Sequence, residues 1–156
     1  RKEGENLNLK NEKPVASGTL KPGNGWQEVK FDAPVKARFF CFEALSSQNG
    51  NDNAAIAEFY LLGENGKPLS RQHWQIAYAD SEETRGGNFT ADKIFDLQES
   101  TYWSTARGDK YPHQVVIDLR EEVVVSGFQY LPRAEEGYPG MVKEYKAYTK
   151  MSPFKF

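Results

Sequence analysis

Short apolar runs, most of which alternate with polar residues, constrain the fold of this chain more than any other feature. They are rich in Val, Ile, Phe and Tyr, which is typical of β-strands, and clusters of Gly, Pro and Asn separate them as turns do. The only helical candidate is the short stretch Thr90–Phe95. The pattern predicts an all-β sandwich or barrel. The predicted strands are Val29–Phe31, Ala37–Phe42, Ile56–Leu62, Gln114–Leu119, Val123–Tyr130 and Val142–Tyr148.

Composition narrows the class of protein. The chain has 156 residues, of which 38% are hydrophobic and 13% aromatic, and this suits one globular domain. The net charge of −2 provides no basic field for nucleic acid or anionic lipid. No apolar segment reaches about 18 residues, so no membrane insertion is predicted. The single cysteine, Cys41, lies in a predicted strand and is interpreted as a small buried residue.

Motifs of catalysis are absent from the sequence. The two histidines, His73 and His113, lack the spacing of a zinc site, and neither a phosphate loop nor a Gly-x-Ser-x-Gly elbow occurs. A glycosidase needs only two acids, and 22 are present. Most of them lie in polar turns beside Lys or Arg, which is typical of solvated surface charge, so we expect no enzyme activity. The chain starts with Arg1 instead of Met, which indicates an excised or processed piece.

Two acidic residues have surroundings that suit a cation. Asp96 precedes Thr101 by five residues across a polar turn, and such a loop either curls around a hard cation or forms a capping turn without metal. Glu58 lies among apolar residues of a predicted strand. It is either buried with a partner or a cation, or it faces solvent on an alternating strand.

One loop combines an arginine with a tyrosine. Arg133 follows a predicted strand and Tyr138 lies in the glycine- and proline-containing loop after it. Sugar sites use planar donors for hydroxyls and aromatic faces for the apolar face of the ring. The alternative is a surface arginine beside Glu135 and Glu136.

The remaining aromatic residues are interpreted from their positions. Trp74 and Trp103 are predicted to lie in the core, whereas Trp26 follows a Gly-Asn-Gly turn and is expected to be exposed. His113 adjoins a predicted strand, and we expect it to be packed and hydrogen-bonded instead of acting as a base.

Six segments carry a resemblance to a known family, and they are Asp96–Trp103, Pro112–Leu119, Ser126–Arg133, Ala16–Thr19, Val35–Phe39 and Ala54–Phe59. Together they resemble the coagulation factor 5/8 type C (discoidin) domain of the galactose-binding-like superfamily, including bacterial family 32 carbohydrate-binding modules. The first three resemble the first half of that domain, and the last three its second half. The resemblance implies a jelly-roll β-sandwich of about eight antiparallel strands.

The two halves occur in the reverse of the usual order. Residues 1–64 resemble the usual C-terminal half and residues 65–156 the usual N-terminal half. We expect a single permuted domain spanning residues 1–156; the alternative is a piece that straddles two tandem domains. Permutation costs little where the termini of a domain lie near each other.

The resemblance also implies a structural calcium ion. In the related modules, side chains at the positions of Asp96, Thr101 and Glu58 hold it, with backbone carbonyls at about Lys93, Gln98 and Ala57. These ligands come from both halves of the chain, so the ion would join the halves and add its binding energy to folding.

The implied sugar site centres on Arg133. In galactose- and N-acetylgalactosamine-binding relatives this arginine works with a histidine, an asparagine and an aromatic residue. The histidine position falls at about Ser104 and the asparagine position at about Pro139, and the loop 48–53 holds no aromatic residue. Tyr138, Tyr111 and Arg107 are the candidate replacements for these groups. The predicted binding residues are Arg133, Tyr138, Ser104, Arg107, Asn51 and Asn53.

The function implied is non-catalytic binding of a terminal sugar of galactose, GalNAc or GlcNAc type. Such a module targets an attached bacterial glycoside hydrolase, for example a hexosaminidase, in the periplasm, at the cell surface or outside the cell. The alternatives are a structural or protein-interaction module without sugar affinity, and a small glycosidase.

Overall fold

The computed structural model describes residues 6–134 and 140–156, and the regular secondary structure of this part is almost entirely β. One 3₁₀ helix spans Ala91–Phe95, within the predicted helical stretch. The described strands are β1 (Ala16–Thr19), β2 (Gln27–Ala44), β3 (Ala55–Leu62), β4 (Gln75–Ala79), β5 (Trp103–Ser104), β6 (His113–Pro132) and β7 (Glu144–Lys150). All pairings are antiparallel, in the order β1-β7-β2-β6-β3-β5, with β4 also on β6. The predicted all-β fold is confirmed.

The two long strands form a ribbon that folds back on itself. β2 and β6 pair from Gln27 with Tyr130 at one end to Ala44 with His113 at the other. The ring of Phe42, near the second end, lies 6.3 Å from the ring of Tyr130 at the first. In a straight ribbon these rings would be roughly 50 Å apart. The ribbon therefore bends into two layers, and its inner faces enclose the core of a β-sandwich.

Irregular backbone marks the bends. In β2 the register with β6 shifts between Lys30 and Val35. Pro34 lies in this interval, where a residue without an N–H group interrupts no ladder bond. In β6 the bend falls near Arg120, whose φ of 69° is unusual for a strand residue. Apolar runs on either side of each bend, which predicted separate strands, belong to one strand. The described residues accordingly form seven strands instead of about eight.

Aromatic rings from both layers fill the core. Phe59 and Phe128 stack with centroids 5.0 Å apart, and Phe42 stacks on Tyr145 at 5.7 Å. Gly127 lets β2 and β6 approach closely, because a Cβ atom at this position would lie 2.3 Å from the carbonyl oxygen of Val29. Burial of these rings supplies the main driving force for joining the layers.

Single-residue expectations are confirmed by burial. Trp74 and Trp103 are buried, Cys41 is buried and free, and Trp26 is 42% exposed. Every described strand pairing except that of β4 with β6 joins a strand from residues 1–64 to one from residues 65–156. The permuted order and the domain boundaries remain predictions. The described part contains no helix that is long and apolar enough to cross a membrane.

Candidate functional site

A cavity of about 520 Å³ lies at one end of the sandwich, and we call it the loop pocket. Segments before β3, after β5 and after β6 line it, and these segments are distant in sequence. The pocket brings together five of the six predicted binding residues, which are Asn51, Asn53, Ser104, Arg107 and Arg133. The sixth, Tyr138, and the predicted asparagine position, Pro139, lie outside the described residues.

Stacked side chains form one wall of the loop pocket. The guanidinium carbon of Arg133 lies 4.4 Å from the centroid of the Tyr102 ring. Tyr102 stacks in turn on Phe89, with centroids 4.8 Å apart and planes 14° from parallel. The sequence interpretation missed both aromatic residues. Tyr102 could have been found from the sequence, because neighbouring side chains of a strand point to opposite faces. A buried Trp103 therefore places Tyr102 on the outer face.

A second wall is fixed by internal hydrogen bonds. The Nδ2 of Asn53 donates to Ser104 Oγ at 2.9 Å, and to Thr105 Oγ1 at 2.9 Å and Thr105 O at 3.1 Å. Ser104 is itself buried. Asn53 and Ser104 thus shape the pocket, whereas Asn51 and Arg107 are exposed at its rim.

Glu58, a predicted calcium ligand, is buried with an arginine. It is only 2% exposed, so the solvent-facing alternative is wrong. Its Oε1 accepts a hydrogen bond of 2.8 Å from Arg71 Nη1, while Oε2 has no partner among the described residues. Burial raises the pKa of Glu58 to about 7; Arg71 opposes this rise, and the nearby Asp96 carboxyl adds to it. A further cation beside Oε2 would stabilise the charged form of Glu58 and lower its pKa.

The loop after the 3₁₀ helix curls around Asp96. Thr101 Oγ1 donates to Asp96 Oδ2, and the Gln98 N–H donates to Asp96 Oδ1 at 3.0 Å. Lys93 lies within the 3₁₀ helix, and Ala57 lies where the register of β3 with β6 shifts. The structure therefore brings Asp96 and Thr101 together, and it places the Asp96 carboxyl near enough to Glu58 to raise the pKa of Glu58.

Comparison with known proteins identifies the family. The family model of the F5/8 type C domain matches residues 77–154, which is half of the chain. The chain belongs to the F5/8 type C domain family. It is also similar to a protein described as a sialidase from Micromonospora viridifaciens, with 34% identity over 88 residues. The match covers 54% of this chain but 13% of that relative.

Two features of this F5/8 type C domain suit the calcium ligands that the resemblance implies. The orphaned Glu58 Oε2 lies in the interior, and Asp96 is near enough to raise the pKa of Glu58. In residues 6–134 and 140–156 no cluster of three or more His, Cys, Asp or Glu side chains is arranged to hold a metal. The implied site instead combines two carboxylates with the Thr101 hydroxyl and backbone carbonyls, all oxygen donors that calcium accepts.

Two side chains anchor the loop before β3 to the body of this F5/8 type C domain. Tyr111 OH donates to the Asn53 carbonyl at 2.6 Å. The His113 ring lies 2.7 Å from the Asp52 carbonyl through Nε2 and 2.8 Å from Asp80 Oδ2 through Nδ1. A carbonyl and a carboxylate only accept hydrogen bonds, so both ring nitrogens donate when His113 is protonated. The expectation of a packed, hydrogen-bonded histidine is confirmed.

Stability should depend on the protonation of His113. Burial lowers its pKa, but the hydrogen bond and charge of Asp80 outweigh burial and raise the pKa above 6.5. Because the folded-state pKa exceeds the unfolded one, this contribution is complete below about pH 6.5 and is lost as pH rises through the raised value. Thermal unfolding between about pH 6 and pH 9 should show a difference in Tm between wild type and His113→Gln that becomes smaller as the pH rises. A Tm difference that does not change with pH would contradict the raised pKa of His113.

Proposed function

We propose that this domain binds a terminal sugar in the loop pocket and performs no chemistry on it. The observation that carries the proposal is the stack of Arg133 on Tyr102 beside the exposed Arg107 and Asn51. An arginine fork donates to pairs of hydroxyl oxygens, and an aromatic ring packs on the apolar face of a sugar. Arg133 and Phe89 cover the two faces of Tyr102, so Tyr102 holds the arginine in place. Phe89, which also lines the pocket, is then the candidate for the aromatic group that the loop 48–53 lacks.

A hexopyranose of galactose, GalNAc or GlcNAc type suits this pocket. Both side chains at its rim, Arg107 and Asn51, can donate to hydroxyl groups, and Asn51 can also accept from them. An open site with few hydrogen bonds and one stacking contact binds weakly, with a Kd from millimolar to micromolar, or about −4 to −8 kcal/mol. Weak binding suffices when a second contact raises the local concentration of a linked module.

The biological role that follows is targeting of an attached bacterial glycoside hydrolase outside the cytoplasm. The similarity to a segment of a protein described as a sialidase supports such a parent enzyme. A glycosidase acting on surface glycans gains from a domain that keeps it near terminal sugars.

Arg133→Ala should weaken sugar binding at least about tenfold, because hydrogen bonds to a charged group contribute about 1.5–3 kcal/mol. Calorimetric titration with galactose, GalNAc and GlcNAc measures the effect. Arg133→Lys keeps the charge but loses the planar fork, so it should restore only part of the affinity. Lys36→Ala, an exposed change on β2, is the matched control and should leave Kd unchanged.

Two outcomes would overturn the proposal. Failure of the wild-type domain to bind any sugar on a glycan array would favour a structural or protein-interaction module. Release of product from aryl glycosides at high protein concentration would establish an enzyme instead.

We further propose that calcium binds between Glu58 and the loop Asp96–Thr101. The buried Glu58 Oε2 without a described partner supports the site, and so does the coupling of Glu58 to Asp96. Thr101 and the carbonyls of Lys93, Gln98 and Ala57 are the other proposed ligands. The ion would join the β3 segment to the loop after the 3₁₀ helix and would add its binding energy to folding.

Calcium at about 100 times its Kd should stabilise the domain by about 2.7 kcal/mol. In a domain of this size that corresponds to a rise in Tm of roughly 5–10 °C over the chelated protein. Asp96→Ala should abolish the rise, whereas Glu99→Ala, an exposed acid in the same loop, should retain it. Equal Tm values with calcium and with chelator would overturn this site.

A further inference from the structure

A second cavity, which we call the aromatic pocket, lies between the segment after β3 and the 3₁₀ helix. It has a volume of about 690 Å³ and shares no described residue with the loop pocket. Its apolar lining includes Tyr60, Trp74, Phe95 and Leu97. The Trp74 and Phe95 rings pack edge to face, with centroids 5.9 Å apart. Rings held in this way provide a rigid surface for a ligand with an apolar face.

Leu97 has an unusual backbone and an exposed side chain. Its φ is 65°, in the left-handed region that a leucine rarely adopts, and the residue is 77% exposed. The two hydrogen bonds that Asp96 accepts from Thr101 and Gln98 hold the loop in this form. Strained backbone clusters at ligand sites, and here it holds an exposed apolar side chain in the pocket lining.

Arg71 supplies the polar feature that points to a ligand. It lines the aromatic pocket and is 7% exposed. Its Nη1 donates to Glu58 Oε1, to the Phe59 carbonyl at 3.1 Å and to the Ile94 carbonyl at 3.2 Å. Its guanidinium carbon lies 3.8 Å from the centroid of the Tyr60 ring. Its Nη2 is equally buried and has no hydrogen-bond acceptor within the described part of the chain. A ligand oxygen would satisfy this donor, and a buried donor without an acceptor is costly.

Polar groups around the apolar wall restrict the class of ligand. Ser70 and Gln72 are exposed and both donate and accept, and the exposed Asp92 accepts. Hydroxyl groups both donate and accept hydrogen bonds, so they can pair with these side chains. The two carboxylates of Asp92 and Asp96 oppose an anionic ligand. We propose that the aromatic pocket is a second site on this domain and that it binds a neutral sugar residue. This inference does not depend on sugar binding in the loop pocket.

The three tryptophan indole N–H signals give a direct readout by nuclear magnetic resonance. Trp74 lines the aromatic pocket, whereas the Trp103 indole donates to the Ser81 carbonyl in the core at 2.9 Å and is an internal control. The full chain is titrated with galactose, GalNAc and GlcNAc, each to about 50 mM, which exceeds the millimolar range expected of a shallow site. At least one sugar should shift the Trp74 signal saturably, and Arg133→Ala should keep this response.

Two surface variants test the assignment without removing buried groups. Gln72→Ala and Leu97→Ala should each raise the Kd obtained from the Trp74 signal about threefold to tenfold. Both variants should leave the amide shifts of Arg107 unchanged. No Trp74 response to any of the three sugars, or a response that Arg133→Ala abolishes, would overturn the second site. A Trp74 response in a protein whose Arg107 and Asn53 signals stay fixed would support the aromatic pocket and count against the loop pocket.

Discussion

Replacing Arg71 by Met should destabilise the domain by about 3–5 kcal/mol, measured in the presence of chelator. The Arg71 and Glu58 side chains are almost wholly buried and joined at 2.8 Å. Removal of the guanidinium leaves the Glu58 carboxylate in the interior without its cation, and it also frees the carbonyls of Phe59 and Ile94. A domain whose total stability is about 5–15 kcal/mol loses a large part of it.

A double-mutant cycle separates the charge from the packing. Glu58→Gln removes the charge, so adding it to Arg71→Met should recover part of the loss in denaturant unfolding. Arg38→Met, at an ion pair with Asp118 that is partly exposed, is the control and should cost at most about 1 kcal/mol. An Arg71→Met variant as stable as this control would show that the buried pair contributes little.

Phe42→Ala should cost about 3–5 kcal/mol, because it opens a cavity where the two layers meet. The Phe42 ring lies 5.4 Å from Phe59, 5.6 Å from Phe128, 6.3 Å from Tyr130 and 5.7 Å from Tyr145. These neighbours come from β3, β6 and β7, so the ring bridges the folded ribbon. The loss therefore falls on the contact that closes the sandwich.

Denaturant unfolding again measures the effect. Phe42→Leu keeps most of the volume and should lose less than Phe42→Ala. Met151→Ala, at a residue that is 48% exposed, should change the free energy of unfolding by no more than about 0.5 kcal/mol. A Phe42→Ala variant within 1 kcal/mol of wild type would mean that the layers close mainly through other contacts.

Local pattern predicted the strands that carry many apolar residues and missed those that do not. The runs around Phe40, Phe59, Ile117 and Phe128 were all predicted as strands, and all lie in strands. β1, with the sequence Ala-Ser-Gly-Thr, has weak strand propensity and forms by pairing with β7. β4 and β5 are likewise short and form by pairing with longer strands.

The sequence by itself determined the apolar strands and the all-β class, because alternation resides in consecutive residues. Its resemblance to the family indicated five residues that line the loop pocket. Only the tertiary structure decided that Arg71 pairs with Glu58 and that Tyr102 and Phe89 stack beside Arg133. It also decided that two long strands bend, near Pro34 and Arg120, instead of ending. These contacts join segments that lie far apart in the chain, and burial selects them when the ribbon folds around its aromatic core.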